Sequence, residues 1–174
     1  NTVTTRALTA RLAVLPDGQV PGDEAQNVAQ VALVERHRAS GTVVNGFVHG
    51  FGFRGRMAMA STVAHDSHHM IVVGTDHELM AQAANSLAAI GGGFSIWKDG
   101  AEIAQVPLPI AGLMSDRPAA EVAAKATRMV EAMAECGCTM NNANMQHAFL
   151  ALVVIPELRI SDLGLVDVRT FQLV

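Results

Sequence analysis

The stretch TDHELMAQAANSLAAIGGGFSIWKDGAEIAQVPLP, residues 75–109, decides the fold, because a helix pattern runs directly into a hairpin pattern. Apolar residues recur in its first half at the spacing of one helix face. They are Leu79, Met80, Ala83, Leu87 and Ile90. Thr75 or Asp76 can cap the helix, with Glu78 placed as a capping box requires, and the glycines at 91–93 end it.

The second half of this stretch predicts two antiparallel strands. Asp99-Gly100 separates the apolar runs FSIW and AEIAQV, and this dipeptide is a strong signal for a tight hairpin. A helix followed by a hairpin fits neither a long parallel βαβ series nor an all-β pattern. The stretch therefore predicts helices packed on a sheet.

Before residue 75, the sequence predicts several strands. A strand and turn are expected in 4–20, and a strand with a charged end in NVAQVALVERHR, residues 27–38. Five glycines in 41–56 indicate a functional or tightly packed loop. Short apolar strands are expected in 57–65 and 70–75.

After residue 109, the sequence predicts a second helix and a strand-rich end. Ser115 or Asp116 can cap the helix, Pro118 lies in its first turn and Gly137 ends it. Its apolar stripe is formed by Val122, Ala126, Met129, Val130 and Met133. QHAFLALVVIPEL predicts a buried strand or short helix, and SDLG predicts a turn before a final strand. The fold class is α+β, or mixed α/β, with helices on a mainly antiparallel or mixed sheet.

Composition limits the classes of partner. The 174 residues suit one domain, the net charge is -4 and no Lys/Arg-rich run occurs, which argues against a nucleic-acid partner. No apolar run reaches the roughly 20 residues of a membrane span, and no secretory signal opens the chain. The only cysteines, in ECGCTM, predict free thiols in a reducing compartment, so we expect a cytoplasmic location.

The cluster AHDSHH, residues 64–69, is the main candidate site. His65, Asp66, Ser67 and His68 could support catalysis or substrate binding, because imidazoles titrate near neutral pH. His65 and His68 are weaker candidates for metal ligands. A polar turn, in which Asp66 and Ser67 cap main-chain amides, explains the same residues.

Two other segments are candidate structural or interface elements. Glu35 and Arg36, in VERHR, belong either to a solvated strand end or to a salt-bridged network that anchors a loop or an interface. PLPIAGLMSD combines two prolines with an apolar tip. Its residues Leu113, Met114, Ser115 and Asp116 either pack against another domain or form an ordinary connector that caps the helix.

Three blocks carry a resemblance to a known family. GFVHGFGFRGRMAMASTVAHDSHHMIVVGTD, PLPIAGLMSD and FLALVVIPELRISDLGLVDV resemble, in this order, the C-terminal domain of bacterial adenine deaminases of the amidohydrolase superfamily. His69 departs from the family, whose members usually carry Asn there, and NNANMQHA differs from a more apolar family segment.

The resemblance implies a parent enzyme of purine salvage and adenine catabolism that hydrolyses adenine to hypoxanthine and ammonia. Divalent metals in an N-terminal TIM barrel would activate the attacking water. The expected metals are manganese or iron, with zinc as a third choice. This chain has no H-x-H pair and is shorter than the roughly 250 residues of such a barrel. We therefore expect no metal or catalytic residue in this chain and no activity of the chain alone.

The start at Asn1, in mid-pattern, leads us to expect a piece of a longer protein, whether processed, proteolysed or recombinant. We expect residues 1–174 to pack on their own N-terminal barrel, with His65, Asp66, Ser67 and His68 supporting an active site that takes a small purine. A homo-oligomer is also expected. The alternatives are a non-catalytic oligomerisation or interaction module, and an independent metal-binding hydrolase that uses His65, Asp66 and His68.

Overall fold

The computed structural model describes residues 3–174, and the start of the chain at Asn1 lies outside them. The helices and strands found in this part of the chain follow in chain order. They are β1 Val28–Val34, β2 Val43–His49, β3 Met57–Ser61, β4 Met70–Gly74, α1 His77–Ile90, β5 Gly93–Lys98, β6 Ala101–Pro107, α2 Ala119–Glu135, α3 Ala143–Phe149, β7 Leu158–Ser161, β8 Gly164–Asp167 and β9 Gln172–Leu173. The predicted α+β class is confirmed, and the described residues form no barrel.

A six-stranded sheet lies at the centre, in the order β2-β1-β4-β3-β5-β6, and each recorded strand pair is antiparallel. A smaller sheet, β7-β8-β9, lies beside it and contacts β2. Helix α1 packs on β3, β4 and β5, whereas α2 packs mainly on β6. Apolar side chains form two separate clusters, one that includes α1 and one that includes α2.

The residues of β3 and β4 are buried throughout rather than alternately. An antiparallel sheet with one wet face shows alternation, whereas a sheet covered on both faces shows continuous apolar runs. Ala58 and Ala60 pack in the α1 cluster, and Met57 and Met59 pack in the opposite one. Layers on both faces therefore explain why MAMAS and MIVVG carry so few polar side chains.

The helix predicted in 75–93 is confirmed as α1. Asp76 caps it, and its carboxylate accepts from the Leu79 amide at 3.0 Å. Thr75 has another role, since its hydroxyl accepts from Met57 N and donates to Gly55 O. Gly91 ends the helix at φ 84°, in the left-handed region that glycine adopts without strain.

The hairpin at Asp99-Gly100 is also confirmed, as β5 and β6. Both turn residues have positive φ, 49° and 89°, as a turn that follows the twist of the strands requires. A bulge between Ile96 and Trp97 shifts the register once along this pair.

Several predictions were wrong. Residues 4–20 form no strand, although Thr5 exchanges main-chain hydrogen bonds with Pro156 and Glu157. The segment 41–56 is not one loop, because it contains β2. Val130 is 62% exposed and does not belong to the buried stripe of α2, where Ala132 is buried instead.

Candidate functional site

One end of the six-stranded sheet collects loops that are far apart in sequence. Val34 of β1 pairs with Met70 of β4, and Ser61 of β3 pairs with Ile71, so the β1–β2 loop lies beside the β3–β4 turn. Gly93 pairs with Pro107, which adds the loop that leads to α2. We call this region the histidine end and define it as residues 35–40, 62–69 and 108–114.

The main chain holds the turn that carries the histidines. His65 N donates to Ala148 O of α3 at 3.0 Å, and His68 N donates to Ala64 O at 2.6 Å. Ala64 is fully buried, so the turn is anchored in the core, while Asp66 and Ser67 are exposed. Main-chain hydrogen bonds therefore hold this turn, whereas the polar-turn hypothesis assigned that role to the side chains of Asp66 and Ser67.

Arg36 joins two of the loops. Its Nε donates to His68 O at 2.6 Å, and its Nη2 donates to Ala111 O at 2.9 Å. Thr62 makes a second link, because its hydroxyl donates to Gly112 O at 2.6 Å and accepts from Gly93 N at 2.8 Å. Sequence reasoning missed Thr62, which carries no motif signal.

Glu35 shapes its own loop rather than pairing with Arg36. Its carboxylate accepts from the amides of His37, Arg38 and Ser40 at 2.6 to 3.0 Å, and from the Ser40 hydroxyl at 2.8 Å. These hydrogen bonds lower the pKa of Glu35 to about 2, and the bond from the Ser40 amide makes the largest contribution. The sequence left VERHR either as a solvated strand end or as a salt-bridged network. The structure shows a carboxylate-centred loop at Glu35 and an arginine that donates to main-chain carbonyl oxygens.

The histidines lie in two neighbouring pairs. The rings of His65 and His68 meet edge to face with centroids 5.4 Å apart, and those of His37 and His69 are 4.7 Å apart. His37 also donates from Nε2 to Ser67 O at 2.6 Å. His37 belongs to the segment VERHR, but its spatial link to the turn had no sequence signal.

Burial acts against the charged form of two of these imidazoles. It lowers the pKa of His68 and of His69 below the ordinary value, because a charged ring loses hydration in the fold. His69 lies between Glu35 and Asp162, whose oxygens are 3.9 and 3.8 Å from its ring nitrogens, beyond hydrogen-bond distance. Nδ1 of His68 and of His69 is buried and meets no hydrogen-bond partner in residues 3–174.

A metal site needs more ligands than the structure gathers here. Zinc and similar ions take at least three protein side chains in catalytic sites. Over residues 3–174, no group of three or more His, Cys, Asp or Glu side chains lies where it could hold one ion. His65 and His68 are neighbours, but no third ligand joins them in the part of the chain that the structure describes.

The loop before α2 is closed by its own main-chain hydrogen bonds and carries an exposed apolar tip. Ile110 and Met114 exchange two main-chain hydrogen bonds of 3.1 Å, and their side chains are 45% and 59% exposed. The capping role expected for Ser115 or Asp116 was wrong. Ser115 Oγ accepts from Arg117 N, Asp116 contacts the Arg117 side chain, and Pro118 precedes α2 without a side-chain cap. Leu113 is half-buried.

Comparison with known proteins gives a consistent result. A family model described as the adenine deaminase C-terminal domain matches residues 2–172. The chain is 69% identical to an adenine deaminase of Ruegeria pomeroyi and 68% identical to one of Roseobacter denitrificans, over 99% and 100% of its length. It is 49% identical to an adenine deaminase of Moorella thermoacetica over 99% of its length.

In each of these three relatives the chain spans only 28% of the protein. The family model nevertheless covers almost the whole of this chain, including the turn of histidines and the loop with the apolar tip. The chain therefore belongs to the adenine deaminase C-terminal domain family.

Proposed function

We propose that this chain is the C-terminal domain of an enzyme that hydrolyses adenine to hypoxanthine and ammonia, and that its histidine end faces the catalytic domain. The observation that carries the proposal is the convergence of four imidazoles and an exposed apolar tip at one end of the sheet. Relatives named adenine deaminase, of which the chain spans 28%, support the presence of a second domain.

The apolar tip suits packing against another part of the same protein. Ile110 and Met114 expose large apolar side chains on a loop that its own main-chain hydrogen bonds hold in place. Hydrogen bonds from Arg36 and Thr62 to carbonyl oxygens of the loop hold it further. A preformed loop loses little conformational entropy when it docks. We propose the N-terminal catalytic barrel as the surface that covers this tip.

The histidine turn then supports chemistry that other residues perform. His65 and His68 are partly exposed beside Asp66 and Ser67, and an imidazole can donate or accept a hydrogen bond. Burial lowers the pKa of His68, which favours the uncharged ring. Such groups orient a substrate or a metal-bound side chain. The divalent metal, manganese, iron or zinc, would supply the activated water from the barrel and not from this chain.

The test compares histidine variants of the full-length enzyme. His65→Ala and His68→Ala should each lower kcat/KM for adenine about tenfold or more, because lost orientation costs roughly 1.4 kcal/mol or more. His77→Ala is the matched control, since this exposed histidine begins α1 and contacts Gln19 instead. Unchanged kcat, KM and melting temperature in both variants would refute the supporting role.

The alternative is a non-catalytic assembly module, and one observation favours it. Helix α1 leaves part of β1 and β2 uncovered, which opens a cavity of about 550 Å³ lined by apolar residues that include Val34, Val43, Phe47, Met80 and Ala84. Strand β2 has no charged side chain to discourage pairing with another chain. If the domain serves a homo-oligomer, Phe47→Asp should lower the mass measured by light scattering while the histidine variants keep full activity.

The setting we propose is adenine catabolism and purine salvage in the cytoplasm. Cys136 and Cys138 are free, and burial raises the pKa of Cys136 to about 11, so its thiol stays protonated. No helix in residues 3–174 is long and apolar enough to cross a membrane.

A further inference from the structure

A second cavity, of about 490 Å³, lies between the central sheet, the small sheet and the segment that precedes β1. It shares no lining residue with the histidine end. Its walls are mostly apolar and include Val31, Phe51, Leu150, Ile160 and Leu165. This volume falls within the range of small-molecule sites, roughly 300 to 1,000 Å³.

The two side chains on the wall of this cavity that are always charged, Arg6 and Arg159, are both cationic. Arg6, Arg159 and His49 line it together with Thr5 and Gln146, and no Asp or Glu is found among its described lining residues. The whole chain carries a formal net charge of -4, so an acid-free wall with two guanidiniums differs from the rest of the molecule.

Arg159 is the buried member of this group, with 2% of its surface exposed. Its guanidinium donates to four carbonyl oxygens, those of Val3, Phe149, Ile155 and Pro156, at 2.5 to 3.4 Å. These four bonds use four of its five N–H groups. Burial lowers the pKa of Arg159, but an arginine stays charged at neutral pH.

No carboxylate neutralises this cation within residues 3–174. The acid two residues away, Glu157, instead accepts from Ala7 N at 3.1 Å and lies 3.9 Å from Arg169. Carbonyl dipoles satisfy hydrogen bonds but leave the positive charge, and a buried unpaired charge is costly. An anion at the remaining N–H would supply the missing charge and form a strong charge-assisted bond.

We propose that this cavity binds a small organic anion with an apolar body, with its carboxylate at Arg159 and its body against Val31, Phe51 and Ile160. Arg6, which is exposed at the rim, adds long-range attraction for the same charge. The apolar walls exclude a fully hydrated inorganic anion as the best ligand, because such an ion would leave them uncovered.

Octanoate and 1-octanol form a matched pair of probes, since both carry the same apolar chain and only octanoate is an anion. Calorimetry on the full-length protein should detect octanoate and show at least tenfold weaker binding of octanol, the discrimination of a charge-assisted bond. Equal affinities, or no octanoate binding at millimolar concentration, would overturn the proposal.

Two arginine variants locate the site. Arg6→Gln should weaken octanoate binding about two- to fivefold, the range for an exposed charge, whereas Arg38→Gln at the histidine end should leave it unchanged. Arg159→Met should abolish binding if it folds. If Arg159→Met does not fold, the comparison of Arg6→Gln with Arg38→Gln tests the location of the site. Equal affinities of these two variants for octanoate would place octanoate elsewhere and overturn the proposal.

Discussion

Replacing Arg36 by alanine should separate the two loops that it joins. The change removes the hydrogen bonds from Nε to His68 O and from Nη2 to Ala111 O. Each contributes about 1 kcal/mol after discounting for solvent at this partly exposed side chain. The loss of about 2 kcal/mol should lower the melting temperature by roughly 4–8 °C for a chain of this size.

Thermal unfolding followed by circular dichroism measures this change, with Arg38→Ala as the control. Arg38 is an exposed arginine in the same loop, and its recorded hydrogen bond comes from its main-chain N, which alanine keeps. Arg36→Lys keeps the charge but cannot bridge both carbonyls, so about half of the loss should remain. The bridging argument fails if Arg36→Ala and Arg38→Ala melt within 1 °C of each other, roughly the error of such scans.

Three other positions give equally direct tests. Glu35→Gln should lower stability at neutral pH, and the difference from wild type should shrink as pH falls from about 4.5 toward 2, because the folded pKa is about 2 and protonation of Glu35 then removes its advantage. A difference that stays constant in a pH series of melts would contradict this. His147 is fully buried with both ring nitrogens unpartnered in residues 3–174, and burial lowers its pKa to about 3. His147→Met removes these unpartnered nitrogens and should therefore raise stability by roughly 1 kcal/mol at pH 7. Because the unfolded state takes up a proton on His147 below about pH 6.5, the variant should also reduce the acid sensitivity seen in the same melts. Gly93→Ala should cost about 3 kcal/mol or more in urea unfolding, because its Cβ would overlap Val106 O at φ 135°, whereas Gly100→Ala has open space at φ 89° and should cost only about 1 kcal/mol. Equal losses in the two glycine variants would rule out the steric explanation.

The local part of the fold could be predicted from the sequence. Helix α1 and the β5–β6 hairpin follow from spacing, caps and Asp99-Gly100, which act within a few residues. Strand β2 could not be predicted, because its segment is rich in glycine and so resembles a loop, whereas Gly46 pairs with Val31 inside the strand. A Cβ at this position would meet Leu165 and Val31 at 3.4 and 3.5 Å, which are ordinary contact distances, so neither a turn nor packing requires glycine here.

The candidate site was predictable only as separate pieces. Each segment was recognisable by composition, but their meeting depends on β1 pairing with β4, which no local pattern encodes. For the same reason, the contacts of His69 with Glu35 and Asp162 come from three separate parts of the chain. What His65, Asp66, Ser67 and His68 do in the enzyme remains a prediction.

The strand order has a consequence for folding. Strands β1–β2 and β5–β6 can each form as local hairpins, as can β3–β4, but β1 reaches β4 only after a long loop closes. Closing such a loop costs entropy before any stabilising contact forms, so non-local pairing is slow. The histidine end draws on all three hairpins and cannot exist until they have joined. The approach of the rings of His37 and His69 during refolding should therefore report the joining of the β1–β2 and β3–β4 hairpins.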